Sequence, residues 1–284
     1  MGNPRRVSIL LWPFFFLRHL FHEFAWQARV RVAAGFLGRR KLGKVLKELR
    51  KRGISVIPNH FPSSVMDLLH QECDKVLDDV GPSIENLGPC DEGDVILGSG
   101  MHVERYSGTI KIKDIRSPIL DLVRQDRFMM MVHMIFRLRW SQLPLMIYHV
   151  AHDGNMKHPA VPGKTKIMIA GEPHIDSSNH GLKAFTVLDE VKEENGPFTC
   201  IERTASKWGL LGYHVRQRMN EWGFKIPPGD SNQINVREMA QLQKQHRTFL
   251  ATVNPGDLVC FDTRSVHYAS SLTKGCRRVL WFYF

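Results

Sequence analysis

The feature that most constrains this chain is His174-Ile175-Asp176, taken with a second histidine far downstream in Phe261-Asp262-Thr263-Arg264-Ser265-Val266-His267. In an extended segment, residues two apart point to the same face, so His174 and Asp176 can reach one metal ion while Ile175 packs behind them. For His267 to join them, the fold must bring two distant stretches of chain side by side. Two histidines and one carboxylate on one side of a metal leave adjoining coordination positions open, the donor set of non-haem Fe(II) oxygenases.

A lone His-x-Asp says little in a chain with 14 histidines, and its neighbours give it weight. Leu182 to Val191 is an apolar, strand-like run, followed by the polar turn Lys192-Glu193-Glu194-Asn195-Gly196-Pro197. Before His267, the turn Asn254-Pro255-Gly256-Asp257 feeds the short apolar strand Leu258-Val259-Cys260-Phe261. Beyond it, Arg277 and Arg278 open a last strand, Val279 to Phe284. An arginine there can meet the far end of a dicarboxylate with a two-pronged hydrogen bond that lysine cannot reproduce. Adjacent strand residues face opposite sides, so only one of the two arginines can point inward; Arg277 is the first choice and Arg278 the fallback.

This combination resembles the phytanoyl-CoA dioxygenase family of Fe(II)/2-oxoglutarate-dependent oxygenases. The resemblance rests on His174-Ile175-Asp176, on Leu188-Asp189-Glu190-Val191 running into Glu194-Asn195-Gly196-Pro197, on Pro255-Gly256-Asp257-Leu258 before His267, and on Gly275-Cys276-Arg277. It reaches back to Leu49 to Asn59, which looks like the family's first helix and strand. One departure is clear: many members carry a Pro-Gly-Ser-His-like turn after the Asn-Gly-Pro segment, and this chain has Ile201-Glu202-Arg203-Thr204-Ala205-Ser206. The resemblance implies a double-stranded β-helix of the jelly-roll or cupin-like type, mainly β with flanking helices. It implies Fe(II) held by His174, Asp176 and His267, with 2-oxoglutarate and O2 as cosubstrates and Arg277 on the remote carboxylate. The implied reaction is hydroxylation of an unactivated C–H bond. Asp176 is a carboxylate where a halogenase would leave a vacancy, so hydroxylation is favoured over halogenation.

Charge divides the chain unevenly. Residues 1–52 hold thirteen Lys or Arg against two acids, Glu23 and Glu48, a net of +11 that equals the net charge of the whole chain. Residues 53–284 therefore balance to zero and read as the dioxygenase domain, with an insertion or lid at about 202–254. Residues 1–52 read as a basic, aromatic, amphipathic extension. The uninterrupted apolar run Ile9 to Leu17 is well short of the roughly 20 residues a spanning helix needs, and no clean signal-peptide cleavage pattern follows. Aromatic and Leu side chains beside arginines suit the interface of an anionic membrane. Two other readings stand beside that one: a helical hairpin packed on the domain or on a second subunit, and a mitochondrial targeting segment. A nucleic-acid role is not expected, because the aromatics lie upstream of the Arg39 to Arg52 run instead of alternating with it.

The five cysteines are scattered without a Cys-x-x-Cys pair, which argues for a reducing, intracellular compartment and against a structural zinc site. Along the body, Lys44 to Arg52 reads as a helix stopped at Gly53, then a strand from Ile54 to Ile57 and a helix from Pro62-Ser63-Ser64 to Asp79. Gly81 to Gly100 reads as loop, and Ile119 to Trp140 as one helix buried on all sides. Leu145 to Val150 and Lys164 to Ala170 read as strands, Val236 to Thr248 as a helix, and His149, His152 and His158 as solvated. The basic extension points to a lipid, acyl or lipid-linked sugar substrate. A non-catalytic binding protein on the same fold and a metal-dependent hydrolase using the same ligands are the alternatives.

Overall fold

The computed structural model describes residues 4–38, 40–85, 93–96, 101–106, 109–113, 115, 117–137, 144–152, 173–176, 181–205, 210, 213–215, 219, 233–234 and 236–284. Two long helices come first, α1 (Pro4–Leu37) and α2 (Lys41–Arg52), followed by β1 (Ile54–Ile57) and α3 (Ser63–Glu85). Three strands then lead to a helix pair: β2 (Gly93–Ile96), β3 (His102–Tyr106), β4 (Thr109–Lys113), α4 (Pro118–Arg124) and α5 (Arg127–Arg137). The second half comprises β5 (Leu145–His152), β6 (Leu182–Val187), β7 (Phe198–Ile201), α6 (Val236–Gln245), β8 (Thr248–Leu250), β9 (Leu258–Asp262), β10 (His267–Ala269) and β11 (Cys276–Tyr283).

Strands form an eight-stranded sheet in the order β1-β9-β6-β11-β5-β4-β3-β2 and a smaller one in the order β10-β7-β8, with antiparallel pairing throughout. The mainly β, double-stranded β-helix architecture is thus present, with α1 to α5 gathered against one face of the large sheet. Its strands alternate between two interiors, as the period of two requires. On one face Leu182, Ala184, Leu258, Cys260, Leu280 and Phe282 join a core with α1 to α5. On the other, Phe185, Val187, Val259, Phe261 and Val279 pack against Phe198 and Cys200 of the small sheet. Both faces are covered, so the central strands read as near-continuous apolar runs.

Local signals account for the element ends. Gly53 closes α2 in the left-handed conformation (φ 83°), its N–H bonding to the Leu49 carbonyl at 2.9 Å. A Cβ at that position would lie 2.2 Å from Ser265 Oγ, so both the turn and the close approach require glycine. α2 buries Leu42, Val45, Leu46 and Leu49 in the helix-side core, where Trp26, Val30 and Ala34 of α1 join them.

Several expectations change. The helix expected to stop at Asp79 continues to Glu85, and the Gly81 to Gly100 stretch contains β2. The single helix expected over Ile119 to Trp140 is two. Ser117 caps α4 by accepting from Leu120 N–H, and Asp126 caps α5 by accepting from Met129 N–H at 2.8 Å, so the chain restarts between them. α5 is also two-faced: Met129 and Val132 are fully buried, while Met131 is 42% exposed. α6 ends at Gln245, and Thr248 already belongs to β8, which pairs with β7. The expected strand over Lys164 to Ala170, His158, and residues 206–209, 211–212, 216–218, 220–232 and 235 of the 202–254 insertion lie outside the described residues.

Candidate metal centre

The two histidines are brought together by one backbone pairing. His174 and His267 form an antiparallel bridge, exchanging N–H···O bonds of 3.0 Å in both directions, so their side chains leave the same face. His267 itself opens β10, opposite Cys200 of β7. His174 therefore continues the small sheet beyond β10, with Gln233 bridging to it on the far side. Asp176 is fixed two residues on by its N–H to the Thr263 carbonyl, 2.9 Å. Between them Ile175 turns the other way into a cluster with Ile201, Ile234 and Val266.

The turn that delivers His267 crosses from the large sheet to the small one and is tied at each step. Asp262 N–H bonds to the Gly53 carbonyl, and Val266 N–H to Thr204 Oγ1. Arg264 is fully buried, with Nε and Nη2 on the Asp262 carboxylate (3.1 and 2.7 Å), Nη1 on Glu23 of α1 (2.5 Å), and its guanidinium 5.0 Å from the Trp26 ring centre. A buried arginine held by two carboxylates and an aromatic face is positioned on every side. α1 thereby holds the strand connection that carries His267.

The three side chains converge. One ligand atom from each of His174, Asp176 and His267 lies within 4.8 Å of the others. The Nε2 atoms stand 3.5 Å (His174 to Asp176 Oδ1) and 3.3 Å (His267 to Asp176 Oδ2) from the carboxylate, and the ring centres are 4.4 Å apart. His267 Nδ1 lies 2.8 Å from the Ser265 carbonyl. A carbonyl only accepts, so Nδ1 carries the proton and Nε2 presents its lone pair to the cluster, the tautomer a metal ligand needs. Burial holds the His267 imidazole below its ordinary pKa and so favours the neutral form, although Asp176 pulls the other way. Burial likewise opposes ionisation of Asp176, yet His267, His174 and Lys183 together hold its carboxyl well below the usual carboxylate range. A carboxylate and two imidazoles whose ligand atoms converge on one point fit a divalent cation.

Lys183 is a site residue that the sequence reading did not single out. Its Nζ forms an ion pair with Asp176 Oδ2 at 2.8 Å and stands 4.3 Å from the Tyr283 ring centre. The signal lay in β6, Leu182 to Val187, where one lysine interrupts an apolar strand whose neighbours are buried. Register supplies what sequence could not: Lys183 pairs with Tyr283 and with Phe261, on the face turned toward the small sheet.

Arg277 occupies the same face, opposite Ala151 of β5, with Val279, Trp281 and Tyr283 following along β11. Burial pushes its guanidinium down to about 10, and among the described residues no carboxylate pairs with it. Arg278 points the other way. It makes a two-pronged contact to Asp189 (2.6 and 2.7 Å) and reaches Asp74 and His70 of α3. His149 is not solvated as expected. It stands on the Arg277 face of β5, opposite Lys111 of β4, and its Nε2 is buried with no hydrogen-bond partner among the described residues. Desolvation, with Lys111, Arg277 and Lys183 around it, holds it well below the usual histidine pKa.

No protein-family model matches the chain, and no curated protein matches it. Solved structures do. The non-heme alpha ketoglutarate dependent epimerase SnoN from nogalamycin biosynthesis aligns at 14% identity over 85% of this chain and 82% of its own, with a TM-score of 0.52. EctD from S. alaskensis, in its apoform, aligns at 13% identity over 87% of this chain and 76% of its own, TM-score 0.53. HygX from Streptomyces hygroscopicus, with nickel and 2-oxoglutarate bound, aligns at 15% identity over 84% and 85%, TM-score 0.50. Likeness at these identities is a likeness of fold. The chain has the jelly-roll fold of non-haem 2-oxoglutarate-dependent enzymes, with a His-Asp-His cluster able to hold a metal.

Proposed function

We propose that this protein is an Fe(II)- and 2-oxoglutarate-dependent dioxygenase of the phytanoyl-CoA dioxygenase type that hydroxylates an unactivated C–H bond. The observation that carries the reading is the convergence of His174, Asp176 and His267 on one face, with the carboxylate between two imidazoles. Bound iron supplies oxidising power at a C–H bond, with 2-oxoglutarate and O2 as cosubstrates. The chain's own contribution is placement. The His174–His267 bridge sets the angle between two ligands, Ser265 fixes the tautomer of one, and the Thr263 carbonyl orients the Asp176 backbone. Arg277 offers the remote carboxylate of 2-oxoglutarate a half-buried guanidinium that no carboxylate among the described residues already uses.

The substrate we propose is a lipid, an acyl chain or a lipid-linked sugar. The support is the coincidence on α1 and α2 of exposed aromatic groups with cationic side chains. The scattered cysteines go with a reducing, intracellular location.

The test is an anaerobic titration of purified protein with Fe(II) and then 2-oxoglutarate, followed through the weak visible metal-to-ligand charge-transfer band. The band should form with wild type, vanish with His174→Ala and weaken with Arg277→Ala. If folded, iron-loaded protein gives no band, the oxygenase reading fails and the chain is a binding protein or a hydrolase.

A further inference from the structure

Most amphipathic helices have one apolar face; α1 has two. Its inner face carries Trp26, Val30 and Ala34 into the helix-side core. On the outer side Phe14, Leu17, Phe21, Phe24, Val32 and Phe36 are between 53% and 92% exposed. At 3.6 residues per turn, Phe14, Leu17, Phe21, Phe24 and Val32 follow one another down a single stripe opposite Trp26 and Val30, and Phe36 lies at its edge. Soluble chains rarely leave so many large apolar side chains together in water, and such a surface marks a site of contact. Arg18 and Arg31 border this stripe, one on each side.

Charge identifies what covers it. Glu23 is the one acid in residues 1–47, and it is turned inward onto Arg264. α2 adds exposed Lys44, Lys47 and Lys51, while its acid, Glu48, is engaged by Ser55 and Arg52. The exposed charge of the two helices is therefore predominantly positive. A second copy on the stripe would set arginine against arginine with no acid to meet them. An anionic bilayer meets both properties: apolar rings enter the acyl boundary, and the flanking cations lie at the headgroups. Among the described residues, no helix is long and apolar enough to cross a membrane, so the contact lies in the surface plane.

We infer that the Phe14-Leu17-Phe21-Phe24 face of α1 docks the protein on an anionic phospholipid bilayer. The proposal names the partner surface for the lipid-like substrate above and rests on that reading for its purpose alone. Its physical basis is independent of the iron site. α1 is well suited to the task because its other face is anchored through Glu23 and Trp26 to Arg264, so a docked helix carries the catalytic body with it in one orientation.

The experiment is co-sedimentation of the full chain with phosphatidylcholine vesicles, with and without phosphatidylglycerol, beside Phe21→Ser/Phe24→Ser and Arg18→Gln/Arg31→Gln variants. Wild type should sediment with the anionic vesicles and weaken with added salt. The double-serine variant should bind roughly tenfold or more weakly at unchanged melting temperature, and the double-glutamine variant should lose its preference for anionic lipid. Absence of wild-type binding, or equal binding by the serine variant, overturns the proposal. So does a concentration-dependent dimer in sedimentation equilibrium that the serine substitutions abolish, which gives the face to a second copy. The charge-transfer titration on the serine variant separates the two readings: an intact band with lost vesicle binding leaves the iron site standing, and lost binding is then the surface's own.

Discussion

Arg277 and Arg278 are adjacent in β11 and identical in chemistry, yet the two faces of the large sheet give them opposite employment. On the helix side Arg278 is saturated, with Asp189 taking it in two prongs and Asp74 and His70 completing the set. On the side toward the small sheet Arg277 has no carboxylate partner among the described residues, and Asp176 on the same side has one ammonium, Lys183, beside its two imidazoles. The helix side satisfies its charges internally and so fixes structure. The opposite side leaves a guanidinium without a carboxylate and gathers a carboxylate and two imidazoles at one point, which is the condition for binding something from outside.

The largest effect should come from the ligands themselves. His267→Ala should weaken divalent-metal binding by more than about 100-fold, measured by competition with a chromogenic chelator; near-native affinity would break the assignment of that face. Next, Arg277→Ala should cost 2-oxoglutarate affinity about 2–5 kcal/mol, read by isothermal titration of Ni(II)-loaded protein. Its melting temperature should hold or rise, since a half-buried cation without a carboxylate is removed. Arg278→Ala should do the reverse, with stability lost by about 1–2 kcal/mol and 2-oxoglutarate affinity retained. If the two substitutions behaved alike, the contrast between faces would be wrong.

Two smaller effects sharpen the picture. Lys183 competes with a metal for Asp176 Oδ2, so Lys183→Met should tighten Co(II) binding by roughly tenfold or less and alter the Co(II) ligand-field spectrum; weaker binding would show that the lysine holds the carboxylate in place instead. On the helix side, Asp126 has a carboxyl held below its usual pKa: burial opposes the shift, and bonds from His60 and the Met129 N–H outweigh it. A depressed folded-state value means its stabilisation is present above the unfolded pKa of about 3.9 and fades as pH falls through the folded one. Asp126→Ala should cost about 1 kcal/mol at neutral pH and progressively less in acid, by urea unfolding across pH, while metal binding stays unchanged.

How legible was this in sequence? The strands around the site were, because Leu182 to Val187 and Leu258 to Asp262 are apolar runs bounded by turn residues, and α2 was, because Gly53 ends it. Boundaries failed where a polar residue serves two purposes. Asp126 looks like an interruption in an apolar stretch and is the cap of a new helix, and Thr248 continues a helical pattern but pairs across to Ile201. His149 was misjudged because a neighbouring loop of Gly, Asn and Pro suggested solvent, whereas its strand position decides its burial. Lys183 was invisible because a single lysine in a strand has no motif.

Residue types and their spacing were enough to say which side chains could form a metal centre and which apolar segments around it were strands. Spacing of two fixes the face of a strand, and apolar runs must be buried. Which residues meet came from the assembled fold: His267 pairs across to His174, Lys183 sits on Asp176, and Glu23 reaches Arg264 from far up the chain. Those contacts depend on register and sheet closure, which are set by the packing of both faces together and not by any local stretch.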